Sequence, residues 1–325
     1  MDYSTRSTSA RVREWQYLTG RDFAEMDRAR TVALVSCSPL EVHGPHLPVI
    51  TDNWEAEGLA LRAIEKLSAR FDDLEFVHLP PIYVAADVVP QPGSVMFRPT
   101  TILRVLEDLG RSLAKQGFRH IWVSSFHGGP RHFVPIELAA HRTNERYGTK
   151  MVSVFSLMIA RLTNGGSDLK NVLGQLEGLT PEALEGDTHG GAVETSMMLH
   201  LLQKAVDAGY RALPRKTVDA WVEAQGEPPL SMSSLKELMR GFKHKLKFFE
   251  RESYTGQPGI ATPELGEQML ERLADEASAA LADLWTGDLD PADCHSPLWK
   301  YRWLFTTPAV GQLFERAIGY RSQVF

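Results

Sequence analysis

Cysteine is almost absent from this chain: Cys37 and Cys294 are the only two in 325 residues. That excludes a disulfide framework and an all-thiolate metal site, and it makes a reducing cytoplasm the expected compartment. Positive charge is not in excess either. Thirty-five Lys and Arg stand against 41 Asp and Glu, a net charge of −6, which gives no electrostatic case for nucleic acid or an anionic membrane as partner. No apolar run approaches the roughly 18 residues that span a bilayer, and Met1 to Arg13 lacks the apolar core of an export signal, so neither is expected. Several catalytic signatures are also missing: there is no Gly-x-Ser-x-Gly elbow, no Walker A loop and no Gly-x-Gly-x-x-Gly. What remains is an ordinary globular composition, 43% hydrophobic and 23% charged, with enough chain for one large domain or two modest ones.

One stretch concentrates chemistry. Glu41-Val42-His43-Gly44-Pro45-His46-Leu47-Pro48, with Thr51-Asp52 just beyond, follows the apolar run Thr31 to Ser36. In extended backbone, residues two apart point to one side, so Glu41 and His43 can converge. Carboxylate oxygen and neutral imidazole nitrogen suit zinc, manganese or iron(II). Gly44, Pro45 and Pro48 make a stiff turn that can return Asp52 to the same point, where its two oxygens could bridge two ions. A lone Glu-x-His in a polar loop is by itself a common and uninformative pattern.

The rest of the chain supplies context. A polar arm over 1–20 leads toward a short helix near Phe23 to Arg30. Runs at Thr31 to Ser36, Leu74 to Leu79, His120 to Ser125 and Lys150 to Leu157 read as buried strands. Helices are expected from Asp52 onward, after a Thr100 or Thr101 cap up to Gly117, and from His132 to Tyr147 before Gly148. Strands alternating with helices predict an α/β fold with an open, largely parallel sheet covered on both faces. Such sheets build their sites at the C-terminal ends of strands. His43 and His127, in Phe126-His127-Gly128-Gly129-Pro130, both follow strand ends. A third cluster, Asp187-Thr188-His189-Gly190-Gly191-Ala192-Val193-Glu194, opens a helix whose first turn would carry Glu194, a favourable place for a carboxylate. Asp187 or Thr188 could equally be a plain helix cap. Cys37 reads as a core residue at a strand end, not a nucleophile.

In this order the clusters resemble the creatininase (creatinine amidohydrolase) family. The matching stretches are Glu41 to Pro48 with Thr51-Asp52, the Pro92-Gly93 loop, His127-Gly-Gly, Asp187-x-His189-x-Gly191-x-x-Glu194-Thr-Ser, and Gly259-Ile-Ala-Thr-Pro-Glu-Leu-Gly266-Glu267. The resemblance implies a three-layer α/β/α sandwich with a mostly parallel sheet and two divalent ions per chain, Zn2+ first and Mn2+ or Fe2+ as alternatives. It also implies a homo-oligomer, with a hexamer among the options. Carried onto this chain, Glu41, Asp52 and His127 would hold one ion and His43, Asp52 and Glu194 the other. Metal-bound hydroxide would attack a carbonyl carbon of a small, cyclic or formylated amide, with His189 shuttling the proton. His46 would orient the metal-binding side chains. A lactone or peptide hydrolase on the same dinuclear site, or a non-catalytic scaffold protein, are the competing expectations.

Departures from the family pattern bear on the substrate. Gly129 stands where creatininase has a ligand Glu, so Glu194 is implied to supply the second carboxylate. No Trp occurs between Lys150 and His189, where creatininase lines its pocket with tryptophans, which points away from creatinine. Ser38-Pro39, Val42 and Ser125-Phe126 replace the usual Gly-Ser, Gln and Asn-Gly. Residues 1–285 are expected to form one metal hydrolase domain, with 205–255 an insertion or lid and 286–325 an aromatic C-terminal extension. Within the insertion, a helix opened by Ser234-x-x-Glu237 carries Lys236, Arg240, Lys243, Lys245, Lys247 and Arg251, read as a solvated face over packed Leu238, Phe242 and Leu246, with a lid or anion-steering role as the alternative. The extension's Trp299, Tyr301, Trp303, Phe305, Phe314 and Tyr320 are expected to dock on the domain or on a neighbouring subunit.

Overall fold

The computed structural model describes residues 12–164, 173, 176–231, 234–318 and 322–325. Five parallel strands form its sheet: β1 (Val12–Glu14), β2 (Thr31–Ser36), β3 (Glu75–His78), β4 (His120–Ser124) and β5 (Lys150–Ser153), in the order β1-β3-β2-β4-β5. Every residue of β2 and of β4 is buried, which is why both read as unbroken apolar runs instead of alternating ones.

Alternation along β2 assigns the two faces. Val32 and Leu34 pack with Phe76, Trp122 and Val152 on one side. Ala33 and Val35 pack with Val77, Ile121 and Val123 on the other. The first face is covered by α2 (Thr51–Arg70) and the long C-terminal helix Pro263–Thr286, through Leu59, Ile64 and Leu67 and through Met269, Leu273 and Ala277. The second face is covered by α3 (Pro99–Lys115) and α4 (Pro130–Tyr147), through Ile102 and Leu106 and through Ile136 and Ala139. The result is the three-layer α/β/α sandwich.

Two expectations are corrected. The arm before residue 20 is not featureless: β1 adds a strand beside β3, and Gly20–Glu25 forms α1, capped by Thr19 in a box with Asp22. Three residues are too few to show a period, and the helix ends short of the expected Arg30. The fourth strand stops at Ser153, and Val154–Asn164 is helix α5. An apolar run of that length fits either state; here Ser153 Oγ accepts the Ser156 N–H at 3.2 Å and turns the chain into helix.

The helix Ala192–Leu202, α6, lies against the long helix Pro263–Thr286. Gly266 makes the close approach possible, because a Cβ there would run into the Ser196 carbonyl oxygen. Gly266→Ala should therefore cost about 3 kcal/mol or more of stability, as overpacking against unyielding backbone does. Urea unfolding of the variant checks this; an unchanged midpoint would show that the two helices can separate freely.

Candidate metal centre

Two strand ends and two helix starts meet at one point. Past β2 the turn through Glu41 and His43 is pinned by backbone donors: Glu41 N–H to Val49 O at 2.8 Å and Gly44 N–H to Ser253 O at 2.7 Å. Past β4, His127 N–H donates to Ser125 Oγ at 3.3 Å. Asp52 sits in the first turn of α2 and Glu194 in the first turn of α6, where the helix N-terminus favours a carboxylate. Ser124 Oγ donates to Ala56 O at 2.8 Å and ties the end of β4 to the start of α2. All five side chains are buried.

Asp52 stands at the centre. Its Oδ2 lies 3.3 Å from His43 Nε2 and its Oδ1 lies 3.7 Å from His127 Nδ1. His127 Nδ1 is also 3.0 Å from Glu41 Oε2, and His43 Nε2 is 3.6 Å from Glu194 Oε2. The far ring nitrogens settle the tautomers. His43 Nδ1 is 2.9 Å from the Glu41 carbonyl oxygen and His127 Nε2 is 3.0 Å from that of Ala86. A carbonyl only accepts, so those nitrogens carry hydrogen, and in a neutral ring the other nitrogen turns a lone pair toward the carboxylates.

Lone pairs facing carboxylate oxygens repel unless positive charge lies between them. Among the described residues Glu41 Oε2, His43 Nε2 and Asp52 Oδ2 are buried with no hydrogen-bond partner, an arrangement that is costly if nothing else binds there. Three groups of donor atoms could hold a cation, each with its atoms within 4.8 Å of one another: Glu41, Asp52 and His127; His43, Asp52 and Glu194; Glu41, His43 and His189. Imidazole and carboxylate donors of this kind fit zinc or manganese, and a shared Asp52 fits a pair of ions.

Without a cation, protons take its place. Burial opposes charge on His43, but Asp52, Glu194 and Glu41 outweigh it and raise its pKa to about 10. His127 is raised well above the usual value in the same way, by Glu41 and Asp52 against its burial. Burial pushes Glu194 up to about 7, with Asp52 adding and His43 opposing. Glu55, one turn along α2 and fully buried, is raised well above the carboxylate range by burial and by Glu194 and Asp52.

Two further histidines beside the centre, His189 and His46, have pKa values pushed down to about 4 by burial and by the charge on His43. His189 stacks on His43 with ring centroids 4.0 Å apart, and its Nε2–H donates to Val42 O at 2.8 Å. Burial and the charge on His43 push its pKa down to about 4, leaving Nδ1 as an acceptor. His46 Nε2 lies 2.8 Å from Thr195 Oγ1, beside Glu194 in the chain. Asp187 caps α6 from outside its start: Oδ2 accepts the Ala192 N–H, and a Cβ at Gly191 would collide with that carboxylate. Cys37 is fully buried, and burial drives its thiol up to about 12.

Over the cluster opens a pocket of about 330 Å3 whose floor includes Glu41, Asp52, His127, His189 and Glu194. Its walls hold Asp87, Val89, Arg131 and Phe249, which the sequence did not single out, together with Phe242, Lys245 and Leu246 from the helix Leu235–Phe249, expected there only as a solvated face and its packing. Asp87 adopts a left-handed φ of +62° and accepts the Arg131 N–H at 2.7 Å, a strained position that no sequence pattern marks. The basic helix is thus not simply a solvated face, since Phe242 and Leu246 turn to the pocket; the Leu238 side chain lies outside what is described. In the extension, Phe305 packs against Phe133 and Val134 and also lines the pocket. Trp303 and Tyr301 stay exposed, and Tyr320 and the Phe314 side chain lie outside what is described.

The family description "Creatininase: Creatinine amidohydrolase" matches residues 16–281. The chain belongs to the creatininase family. Over 172 residues it is 28% identical to the mycofactocin precursor peptide peptidase of Mycolicibacterium smegmatis, a stretch covering 52% of this chain and 58% of that protein; the chain thus spans under two thirds of that relative's length. A solved creatinine amidohydrolase (creatininase) superimposes with a TM-score of 0.60 at 18% identity, covering 83% of this chain and 96% of that one. A creatininase in its Mn form gives 0.57 at 19% identity over 83% and 97%. A mutant creatininase of Zn-Zn type gives 0.58 at 18% identity over 83% and 97%. At these identities the likeness is one of fold. Among the described residues no helix is long and apolar enough to cross a membrane.

The raised pKa of His43 has a consequence for chelator-stripped protein. A group with a folded pKa of about 10 against 6.5 when free adds stability that is fully present below pH 6.5 and lost as pH rises through about 10. Stripped protein should therefore lose melting temperature across that window, and protein refilled with zinc should lose much less. Thermal unfolding at stepped pH measures it, and coincident profiles would mean that no proton is held there.

Proposed function

We propose that this chain is a dinuclear metal-dependent amidohydrolase cleaving the C–N bond of a small, cyclic or formylated amide. One observation carries the proposal: two donor sets share Asp52 at the floor of a closed-in pocket, with unpartnered buried acceptors pointing at each other. Glu41, Asp52 and His127 would hold one ion, and His43, Asp52 and Glu194 the other. When bound, such ions polarise a carbonyl and make a strong nucleophile of water near neutral pH.

The chain's own groups do the rest. The Glu41 and Ala86 carbonyls fix which nitrogen of His43 and His127 faces the centre, and such partners raise a ligand's basicity. His189 rests neutral with its acceptor nitrogen free, so it takes a proton first and returns it to the leaving nitrogen, a shuttle and not a standing acid. Burial by Phe249, edge-on to His189 with centroids 5.4 Å apart, keeps bulk water from that ring. A pocket of about 330 Å3 suits a ligand of modest size. Peptide hydrolysis on the same centre is the second reading, favoured by the name of the mycobacterial relative.

The proposed organisation keeps one hydrolase domain over 1–285, with 205–255 as an insertion walling the pocket and 286–325 as an extension. Two free, buried cysteines agree with a reducing cytoplasm. Exposed Trp303 and Leu313 offer apolar surface to a second copy in a homo-oligomer.

Plasma mass spectrometry of the purified protein should find about two zinc or manganese ions per chain, falling below one in Glu41→Ala and Glu194→Ala. Metal content well under one ion in the parent protein would sink the proposal. His189→Ala should keep its metal and lose about 10²- to 10⁴-fold in kcat, measured on a panel of formamides, lactams and matched lactones. Turnover of lactones alone would move the assignment to ester chemistry.

A further inference from the structure

The helix Leu235–Phe249 presents one face to the pocket. Phe242, Lys245, Leu246 and Phe249 all line it, and their spacing of i, i+3, i+4 and i+7 puts them on a single stripe. Three of the four are apolar. All four lysines of the helix are exposed, but Lys236, Lys243 and Lys247 line no part of the pocket, so position 245 alone brings its charge to it.

The Lys245 ammonium lies 5.9 Å from the Phe249 ring centroid, and the side chain lines the pocket while remaining exposed overall. No carboxylate among the described residues forms an ion pair with it within 4.0 Å; Lys216, by contrast, is paired with Glu252. Arg131, the other basic residue of the pocket, is directed at Asp87, with Nε 3.7 Å from Oδ1. Burial lowers the pKa of Lys245, while Asp87, Glu41 and Glu194 hold it up, so the ammonium stays within electrostatic reach of the floor.

From this geometry we infer that Lys245 is a specificity-determining residue that binds a free carboxylate of the substrate, so that the preferred substrates are amides carrying a carboxylate and an apolar body. The apolar body would rest against Phe242, Leu246, Phe249 and Phe305. The carboxylate would meet Lys245, and the scissile amide would lie toward His189 and Asp52. Substrate class is thereby narrowed within the amidohydrolase proposal, on which the direction of the amide rests. A charge-assisted hydrogen bond is roughly twice as strong as a neutral one, and loss of such a partner is worth about a factor of ten or more in affinity.

The test uses N-formyl-phenylalanine and its carboxamide, which share the formamide and the ring and differ in charge. Calorimetry with the zinc-loaded protein should give at least about tenfold tighter binding of the acid. Lys245→Met should abolish that preference and leave carboxamide affinity and melting temperature unchanged, and Lys245→Arg should restore most of it. Equal loss of both compounds in Lys245→Met would mean that the lysine only balances Asp87 and the floor carboxylates, and would overturn the inference. So would a preference that survives the substitution, or failure of the parent protein to bind either compound at millimolar concentration. Metal content is read on the same samples: low metal with an intact acid preference refutes the metal proposal alone, and two ions with no acid preference refute this one alone.

Discussion

Everything in the centre of this molecule depends on an electrostatic conflict at Asp52. Three carboxylates and two imidazole nitrogens are brought together in a buried site, with neighbouring atoms 3.0 to 3.7 Å apart. Burying one ion without a partner costs several kcal/mol, and like-charged neighbours add to it. Positive charge must enter, either as extra protons on His43 and His127 or as cations. The two alternatives are mutually exclusive at each nitrogen, because a ligating imidazole gives up the second proton. A site built in this way is poorly satisfied by protein alone, and that dissatisfaction is the source of its affinity for whatever fills it.

The fold holds the conflict in place by making retreat impossible. β2 and β4 are adjacent, parallel and wholly buried, so the loops bearing His43 and His127 leave the sheet on the same edge. The helices α2 and α6 start at that edge and direct their N-termini to Asp52 and Glu194, lowering the cost of each carboxylate. His132 Nε2 lies 3.0 Å from Cys37 O and 3.1 Å from Ser125 Oγ, joining the two strand-end loops. Gly266 lets the long C-terminal helix press against α6, so Glu194 cannot swing away without opening the core. The donors are thus set by packing on all sides, the condition for a preorganised site.

Legibility in the sequence followed the range of the interactions. β2 and β4 could be read because burial on both faces leaves a continuous apolar signal, and the α2 start could be read because Asp52 follows the turn of Gly44, Pro45 and Pro48. Glu41, His43 and Asp52 are near neighbours in the chain, while His127 precedes a glycine pair and Glu194 follows one in the first turn of α6, a local mark of a distant meeting. β1 could not be read: its three residues gain strand geometry only by lying beside β3. The β5 boundary was misplaced because Val154 and its neighbours are apolar in either conformation. Asp87 carries no local mark at all, and the marks on Lys245 and Phe305, a basic helix and an aromatic run, do not show that either faces the pocket, since each reaches it only through the approach of separate segments.

That last group explains why bond type and substrate are written differently in such a chain. The floor is built from donor atoms whose identity is chemically constrained, so a change there removes the chemistry. The wall is a helix face, where the constraint is angular. On the Leu235–Phe249 helix, Lys243 and Lys247 stand two positions either side of Lys245, and two positions rotate a side chain about 200° around the axis, away from the pocket. Composition, net charge and count of basic residues do not distinguish the three, yet only Lys245 lines the pocket. On the proposal made for Lys245, recognition would be carried by the phase of one amphipathic helix against the floor around Asp52, and a reading of residue types without that phase sees only a basic surface.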